Sequence, residues 1–225
     1  MMIKKFLKKN DTIMRIHKSI KVKRIRHTLQ KKGLVVLSEV TGKLNESGIT
    51  AFSDFGTLLG IVREGALLEH DLDMDVGVVL SEPNRNTVIS KVFDSMGYIK
   101  SREFTVNGDI KEQSYIKNGI KVDIQYYFRD DDKELMYCYL FYNPSRDSRE
   151  TKWKSVIKKC PMVNQVENIT VQGNNIFIPK NAEAILRYKY GSNWRTPDKG
   201  WVYWEGPNTY PREEFGVLDS IYLRQ

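Results

Sequence analysis

Phe55-Gly56-Thr57-Leu58-Leu59-Gly60-Ile61-Val62-Arg63, continuing to His70-Asp71-Leu72-Asp73-Met74-Asp75-Val76-Gly77-Val78, decides how this chain is read. Asp71, Asp73 and Asp75 alternate with Leu72, Met74 and Val76, and this period of two predicts a strand over 71–80. Alternate strand residues share a face, about 6.5–7 Å apart. Three like charges on one face are costly unless a positive charge lies among them. A divalent cation held by oxygen ligands is the usual answer, and Mg²⁺ pairs one or two carboxylates with substrate phosphates. Just upstream, Gly56-Thr57 predicts a tight turn leading into a short helix over 57–63, where backbone N–H groups can hold a phosphate. Carboxylates for a metal beside a phosphate cradle point to chemistry at phosphorus.

Asp73 and Asp75 are the leading candidates for metal ligands, because apolar Met74 and Val76 carry the other face of the strand into the core. Lys121-Val122-Asp123-Ile124-Gln125 offers a third carboxylate on a later strand. Burying a lone charge is expensive, so Asp123 is expected either to serve the metal and the chemistry or to pair with a buried arginine such as Arg63. The spacing is not that of an EF-hand, which needs a glycine at a fixed offset and a glutamate closing a twelve-residue loop. Arg63 can clasp a phosphate with its planar fork or pair with Glu64, Glu69 or Asp71. Thr57 can donate to a phosphate or cap its helix. His70 reads as a positioned loop residue. Tyr188, Tyr190, Trp194, Trp201 and Trp204 cluster near Arg187, Arg195 and Lys199. Such aromatics stack on a base or sugar, box a quaternary ammonium, or simply form core, and Trp194 with Arg195 are candidate donor-site residues.

Around these motifs the pattern predicts a mixed α/β domain. A helix is expected over 34–44, with Leu34, Leu37, Val40, Thr41 and Leu44 on its buried side and Gly48 beyond its end. Strands are expected over 49–54 and 98–104, with a helix over 82–96 between the aspartate strand and the second of these. Asn118-Gly119 between alternating runs at 113–117 and 120–128 is a hairpin signal for a type I′ turn. Leu135 to Tyr142 reads as a strand, and 168–178 as two short β runs around Gly173-Asn174. Asn181 to Tyr190 reads as a helix with Asn181 as N-cap and Gly191 at its end. The last 34 residues look irregular.

Of 225 residues, 40% are hydrophobic, including 12 Tyr and 9 Phe, enough for a sizeable core. The net charge of +8 is unevenly distributed: residues 1–32 hold 12 Lys and Arg against Asp11 alone, and the rest of the chain is slightly acidic. A near-neutral body argues against a nucleic-acid binder, and the basic character belongs to the N-terminal arm. There Ile3, Phe6, Leu7, Ile13, Ile16, Ile20 and Leu29 recur at helical spacing. A basic amphipathic helix of this kind lies on an anionic membrane surface or an acidic partner, or is a solvated helix packed by its apolar stripe. Residues 1–32 are accordingly set apart from a catalytic domain over 33–225. No stretch approaches the roughly 18 apolar residues of a membrane span, and no secretory h-region follows Lys4 and Lys5, so a cytoplasmic setting is expected, with peripheral contact at the inner membrane face through the arm. Cys138 and Cys160 have no metal-like spacing and read as ordinary thiols, with a disulfide left open.

Gly56-Thr57-Leu58-Leu59-Gly60-x-x-Arg63, His70-Asp71-Leu72-Asp73-Met74-Asp75, Val122-Asp123-Ile124 and Tyr190-Gly191-x-x-Trp194-x-Thr196-Pro197 together resemble the LicD/fukutin family of nucleotidyltransferase-fold phosphotransferases. His70 stands where that family commonly has Trp, and Leu72 replaces its middle acid. The resemblance implies a nucleotidyltransferase-like mixed sheet flanked by helices, with Mg²⁺ or Mn²⁺ on Asp73, Asp75 and Asp123. It implies transfer of phosphocholine, or of ribitol or glycerol phosphate, from a CDP-linked donor to a glycan hydroxyl. The acceptor would belong to a bacterial surface glycan (capsule, lipopolysaccharide or teichoic acid), built on a lipid carrier in one form of the reading. Gly56, Thr57, Arg63, Asp71, Trp194 and Arg195 are the residues then assigned to substrate and phosphate. Two rivals remain: a nucleotidyltransferase that transfers NMP to a small molecule or protein, and a non-catalytic module binding nucleic acid or membrane.

Overall fold

The computed structural model describes residues 2–80, 85–130, 134–145, 147 and 149–221, without the side chains of residues 2–17 and 85. Among the described residues four helices and ten strands are formed: α1 (Met2–Glu46), β1 (Ala51–Ser53), α2 (Phe55–Glu64), β2 (Met74–Val79), α3 (Arg85–Ser95), β3 (Ile99–Val106), β4 (Asp109–Lys117), β5 (Ile120–Arg129), β6 (Leu135–Tyr142), β7 (Lys152–Pro161), β8 (Val166–Val171), β9 (Asn174–Pro179), α4 (Ala182–Tyr190) and β10 (Thr209–Ser220). Eight strands form one sheet in the order β1-β2-β5-β4-β3-β10-β7-β6, and a β5–β6 pairing at Phe128↔Tyr137 and Arg129↔Met136 closes six of them into a barrel. β2 and β1 extend from β5 as a flange. The β2–β5 pair is parallel and the other ladders are antiparallel. β8 and β9 form a separate hairpin, tied to the flange by Ser53 Oγ, which donates to Phe177 O at 3.0 Å.

Leu34, Leu37, Val40, Thr41 and Leu44 are all buried, as their spacing predicts, and Gly48 follows with φ 74°. α1 does not stop at position 33 but runs on toward the N-terminus. Its contact with the body begins near Leu29, which is buried, and Gln30, whose amide donates to Leu68 O at 2.9 Å. The apolar spacing of residues 3–16 falls on side chains outside the described set. The expected helix at 82–96 is α3, and the start assigned to it falls on residues 81–84, also outside the description.

The Asn118-Gly119 turn forms as expected, with φ 52° and 79° joining Lys117 to Ile120. Along β5 the two faces have separate tasks. Val122 lies beside Tyr115 of β4 in the ladder, and Tyr115 stacks on Phe93 of α3 with ring centroids 3.9 Å apart. Lys121, Asp123 and Gln125 point the other way, toward α2 and α4.

Two expectations are corrected. Gly56 and Thr57 do not form a turn ahead of a helix; both lie in the first turn of α2, and the unusual backbone is at Phe55, with φ 39°. The last 34 residues are not wholly irregular, because β10 is a twelve-residue strand between β3 and β7. Its ladder to β7 shifts register between Pro211 and Phe215, and that irregularity with Pro211 interrupts the alternation that marks a strand. Asn181 precedes α4 as expected, but its amide donates to Met162 O rather than capping.

A buried ion pair joins the covers of the sheet. Lys189 of α4 bonds the Asp54 carboxylate at the mouth of α2, and Tyr127 of β5 donates to Asp54 Oδ2 at 2.5 Å. Lys189 and Asp54 are both fully buried, so Asp54 is held by Lys189 and leaves α2 without a side-chain cap. Removing one partner of such a pair strands a buried charge and costs about 3–5 kcal/mol. Lys189→Met is expected to lower unfolding free energy by about that amount in urea titrations, and pairing it with Asp54→Asn is expected to recover part of the loss.

Candidate active site

The parallel ladder sets Asp75 of β2 directly beside Asp123 of β5, and neighbouring strands are about 4.8 Å apart. Asp73 lies just before β2, not on it, because the ladder with β5 begins at Met74↔Val122. Asp71 is further back in the same loop. The expectation of three aspartates on one strand is therefore corrected: Asp75 alone is a strand residue, and the loop turns Asp73 toward β5. Lys121 ties the group together, its ammonium 2.7 Å from Asp73 Oδ2 and 2.8 Å from Asp123 Oδ2. Arg102 of β3 reaches Asp123 Oδ2 at 3.3 Å and also pairs with the buried Glu112 of β4.

The charges divide by environment. Burial pushes the Asp75 carboxyl well above the ordinary range, and Asp73, Asp123, Asp54 and Asp71 push it further. Burial would also raise Asp123, but Lys121 and Arg102 outweigh it and hold that carboxyl below its usual value. Asp71 is pushed up to about 6, chiefly by burial, with His70 opposing and Asp73 reinforcing the rise. The two neighbours are thus pushed apart, Asp123 toward the ionised form and Asp75 toward the protonated one.

A cavity of about 850 Å³ opens over this cluster. Gly56, Arg63, Asp71, Asp73, Asp75, Asp123 and Trp194 line it, so seven of the nine residues singled out in the sequence converge there. Thr57 and Arg195 do not. Thr57 is fully buried beneath the site, where its hydroxyl accepts the Asp75 backbone N–H at 2.9 Å and fixes α2 to β2. Arg195 lies over Trp194 at 4.3 Å and pairs with Glu183 on the surface. Arg63 is ion-paired with Glu64 at 2.7 Å, one of the alternatives its sequence allowed, and extends toward Trp194 O. Asp71 packs against the first turn of α2: a Cβ on Gly56 would come within 3.3 Å of its Oδ2. Gly60 is required one turn further along that helix, where a Cβ would meet Ala66 O at 2.6 Å.

Lys121, Arg102, Glu112 and Gln125 were not singled out by sequence reasoning. Lys121 and Gln125 carry a readable signal, since they flank Asp123 at i−2 and i+2 and so share its face. Arg102 and Glu112 carry none, because only the pairing of β3, β4 and β5 brings them to Asp123.

Among the described residues no three His, Cys, Asp or Glu side chains are gathered closely enough to hold a metal as they stand. The Lys121 ammonium lies between Asp73 and Asp123. The donor set nonetheless fits a hard divalent cation. Asp123 Oδ1 is buried without a hydrogen-bond partner, Asp75 is crowded by like charges, and carboxylate oxygens are the ligands such ions take.

These carboxylates, carried on a parallel strand pair and covered by α2, have the layout expected of a nucleotidyltransferase-type domain. A sequence model of the LicD/FKTN/FKRP nucleotidyltransferase domain matches residues 48–181, and the chain belongs to that family. Mouse ribitol-5-phosphate transferase FKTN is 21% identical over 200 residues, covering 86% of this chain and 41% of its own length. The human FKTN is 20% identical over 186 residues, 80% of this chain and 38% of its own. An uncharacterized Caenorhabditis elegans protein is 34% identical over 90 residues, 40% of this chain and 23% of its own. The chain thus spans about two fifths of the FKTN proteins it matches. Among solved structures, ANT(2")-Ia in complex with adenylyl-2"-tobramycin superposes with a TM-score of 0.44 at 11% identity, covering 76% of this chain and 82% of that one.

Asp71 gives a pH test. A folded-state value near 6 against an ordinary 3.8 means that the folded protein binds more protons between those limits, so stability is lost as pH rises through that window. Above pH 6 the ionised carboxylate is fully unfavourable; below pH 3.8 it is protonated in both states and neutral in effect. With allowance for solvent at this site, Asp71→Asn is expected to stabilise the metal-free protein by about 1–2 kcal/mol at pH 7. The gain should vanish near pH 4, as read by denaturant titrations in EDTA.

Proposed function

We propose that this domain transfers a substituted phosphate from a CDP-linked donor to a hydroxyl of a glycan, with Mg²⁺ or Mn²⁺ held by Asp73, Asp75 and Asp123. The carrying observation is the Asp75–Asp123 pair in the cavity wall, with the Asp123 carboxyl held below its usual range by Lys121 and Arg102 and its Oδ1 unpartnered. A bound divalent cation would neutralise phosphate oxygens and orient the attack. In the reaction the acceptor oxygen forms a new bond to phosphorus, the phosphorus–oxygen bond to CMP breaks, and the acceptor proton passes to a carboxylate. Asp123, beside Asp75, either completes the metal site or takes that proton as general base. Arg63 and the Gly56 end of α2 face the cavity where donor phosphates are expected. Trp194, at the same mouth, is the candidate wall for the nucleotide.

The FKTN relatives are ribitol-5-phosphate transferases, which favours ribitol phosphate as the group transferred. Phosphocholine and glycerol phosphate are the other head groups of this reading, and a bacterial surface glycan assembled at the inner membrane face is its setting. Lys18, Lys21, Lys23, Arg24, Arg26, Lys31 and Lys32 are exposed along α1, an arrangement suited to an anionic lipid surface. Replacing Lys21, Lys23, Arg24 and Arg26 by Glu is expected to abolish sedimentation with phosphatidylserine vesicles; retained binding would remove the arm from this account. Among the described residues, no helix is long and apolar enough to cross a membrane.

The competing reaction, NMP transfer, uses the same carboxylates on a different phosphorus, and the released product separates the two. With CDP-ribitol, CDP-glycerol, CDP-choline and CTP offered in parallel, release of CMP from a CDP-linked donor is expected, and pyrophosphate from CTP is not. Asp73→Asn with Asp75→Asn should lower the rate by on the order of 10³-fold, equivalent to about 4 kcal/mol of barrier, and EDTA should do the same. Full activity in that double variant would remove the metal assignment.

A further inference from the structure

The cavity extends past the aspartates into the mouth of the barrel, and this half is built differently. In register, Asp75, Asp123, Ser114 and Arg102 form one row across β2, β5, β4 and β3. The next row is Gly77, Gln125, Glu112 and Phe104. Gln125 and Glu112 are each 5% exposed. The Gln125 side chain bonds Glu112, and its Oε1 has no partner, although it is buried and the residue lines the cavity. Asp123 Oδ1, two residues along the same face of β5, is also unpartnered. Two buried acceptors side by side call for two donors.

Aromatic rings lie beside these acceptors. Phe104 stacks on Phe141 with centroids 4.3 Å apart and meets Trp153 at 5.2 Å, and Tyr203 closes the side with its hydroxyl donated to Phe141 O at 2.6 Å. Phe104, Phe141, Trp153 and Tyr203 all line the cavity. Apolar rings with a few convergent polar groups are the usual composition of a small-molecule subsite. The Arg102 guanidinium already lies 5.3 Å from the Phe104 centroid. A resident cation there opposes a second one, so the subsite is poorly suited to a quaternary ammonium. A neutral compound with several hydroxyls suits it, as its C–H faces lie on the rings and its O–H groups supply the missing donors.

We propose that the barrel mouth is the acceptor subsite of this enzyme and takes a neutral polyhydroxylated ring or chain, with Gln125 Oε1 accepting a hydroxyl adjacent to the one that reacts at Asp123. This rests on the phosphotransferase reading for the direction of transfer. The geometry agrees with it: α2 packs over β2, on one side of the carboxylates, and Glu112, Arg102 and Phe104 lie on β4 and β3, on the other. Donor and acceptor then approach the Asp75–Asp123 pair from opposite sides.

The test measures binding to the full chain by saturation-transfer NMR, with methyl hexopyranosides, ribitol and choline chloride as probes, and CMP binding by calorimetry alongside. Wild-type protein is expected to bind at least one glycoside or polyol at millimolar concentration, with saturation strongest at ring C–H protons, and to prefer it to choline. Gln125→Leu and, separately, Trp153→Leu should weaken that binding about tenfold or more with CMP affinity unchanged. The unchanged CMP affinity also shows that the variants fold. Preference for choline, no binding of any polyol while CMP binds, or loss of CMP affinity with polyol binding intact would each overturn the assignment. Failure of the phosphotransferase reading looks different: polyol binding and its sensitivity to Gln125 and Trp153 persist, but no CDP-linked donor releases CMP.

Discussion

The parallel register of β2 on β5 is the constraint from which the site follows. It places Asp75 and Asp123 side by side in a buried setting, with Asp73 delivered by the loop ahead of β2. Two ionised carboxylates this close in low dielectric repel strongly, so the surroundings must supply positive charge or a proton. Both occur. Burial and the neighbouring carboxylates push Asp75 toward its protonated form, and Lys121 and Arg102 draw Asp123 toward its ionised form. Arg102 needs Glu112 in turn, since a guanidinium facing the barrel interior is not tolerated without partners. The barrel connection through β4 and β3 is what brings both residues to the site.

A second buried pair fixes the cover. α2 carries Gly56 and Arg63, and α4 leads into the loop bearing Trp194. Lys189 and Asp54 lock these two helices together, with Tyr127 of β5 as the third member. Thr57 adds a bond to the Asp75 backbone. The helix that lines the cavity with Gly56 and Arg63 and the strand that bears Asp75 are therefore one rigid unit. Thr57, read from the sequence as a phosphate or capping residue, is placed to hold that unit together.

The flange was legible because its signals are local. Alternation in 74–79 and 120–128, Asn118-Gly119 at the turn, and the i, i+3, i+4 spacing of 34–44 each specify an element without help from distant residues. The Asp75–Asp123 pairing was reachable, since lone carboxylates on apolar strands seek one another across a ladder or around a cation. Four of the six barrel strands, β3, β4, β5 and β6, were expected, but β7, β10 and the closure of the barrel were not legible. β10 is bulged beside Pro211 and has exposed Phe215 and Val217, so its pattern does not alternate, and its place between β3 and β7 is a matter of long-range pairing. Arg102 and Glu112 belong to that hidden part. Lys189 was hidden for another reason: a lysine in a helix reads as surface charge, and only the burial of Asp54 reveals it as core.

Lys121 explains why the carboxylates and the fold are compatible before any substrate arrives. Its ammonium bridges Asp73 and Asp123 at hydrogen-bond distance, and two carboxylates around one cation are far less costly than two alone. The protein therefore does not need a divalent ion to tolerate its own site. A cation of higher charge that enters between those carboxylates must displace the ammonium. Lys121 is a long side chain that is 30% exposed, so it can swing into the cavity without disturbing β5. The carboxylate charge and the lysine charge then separate within a few ångströms of each other. In the proposed reaction a negatively charged group entering together with a metal ion would balance both charges, and a nucleotide-linked phosphate is such a group.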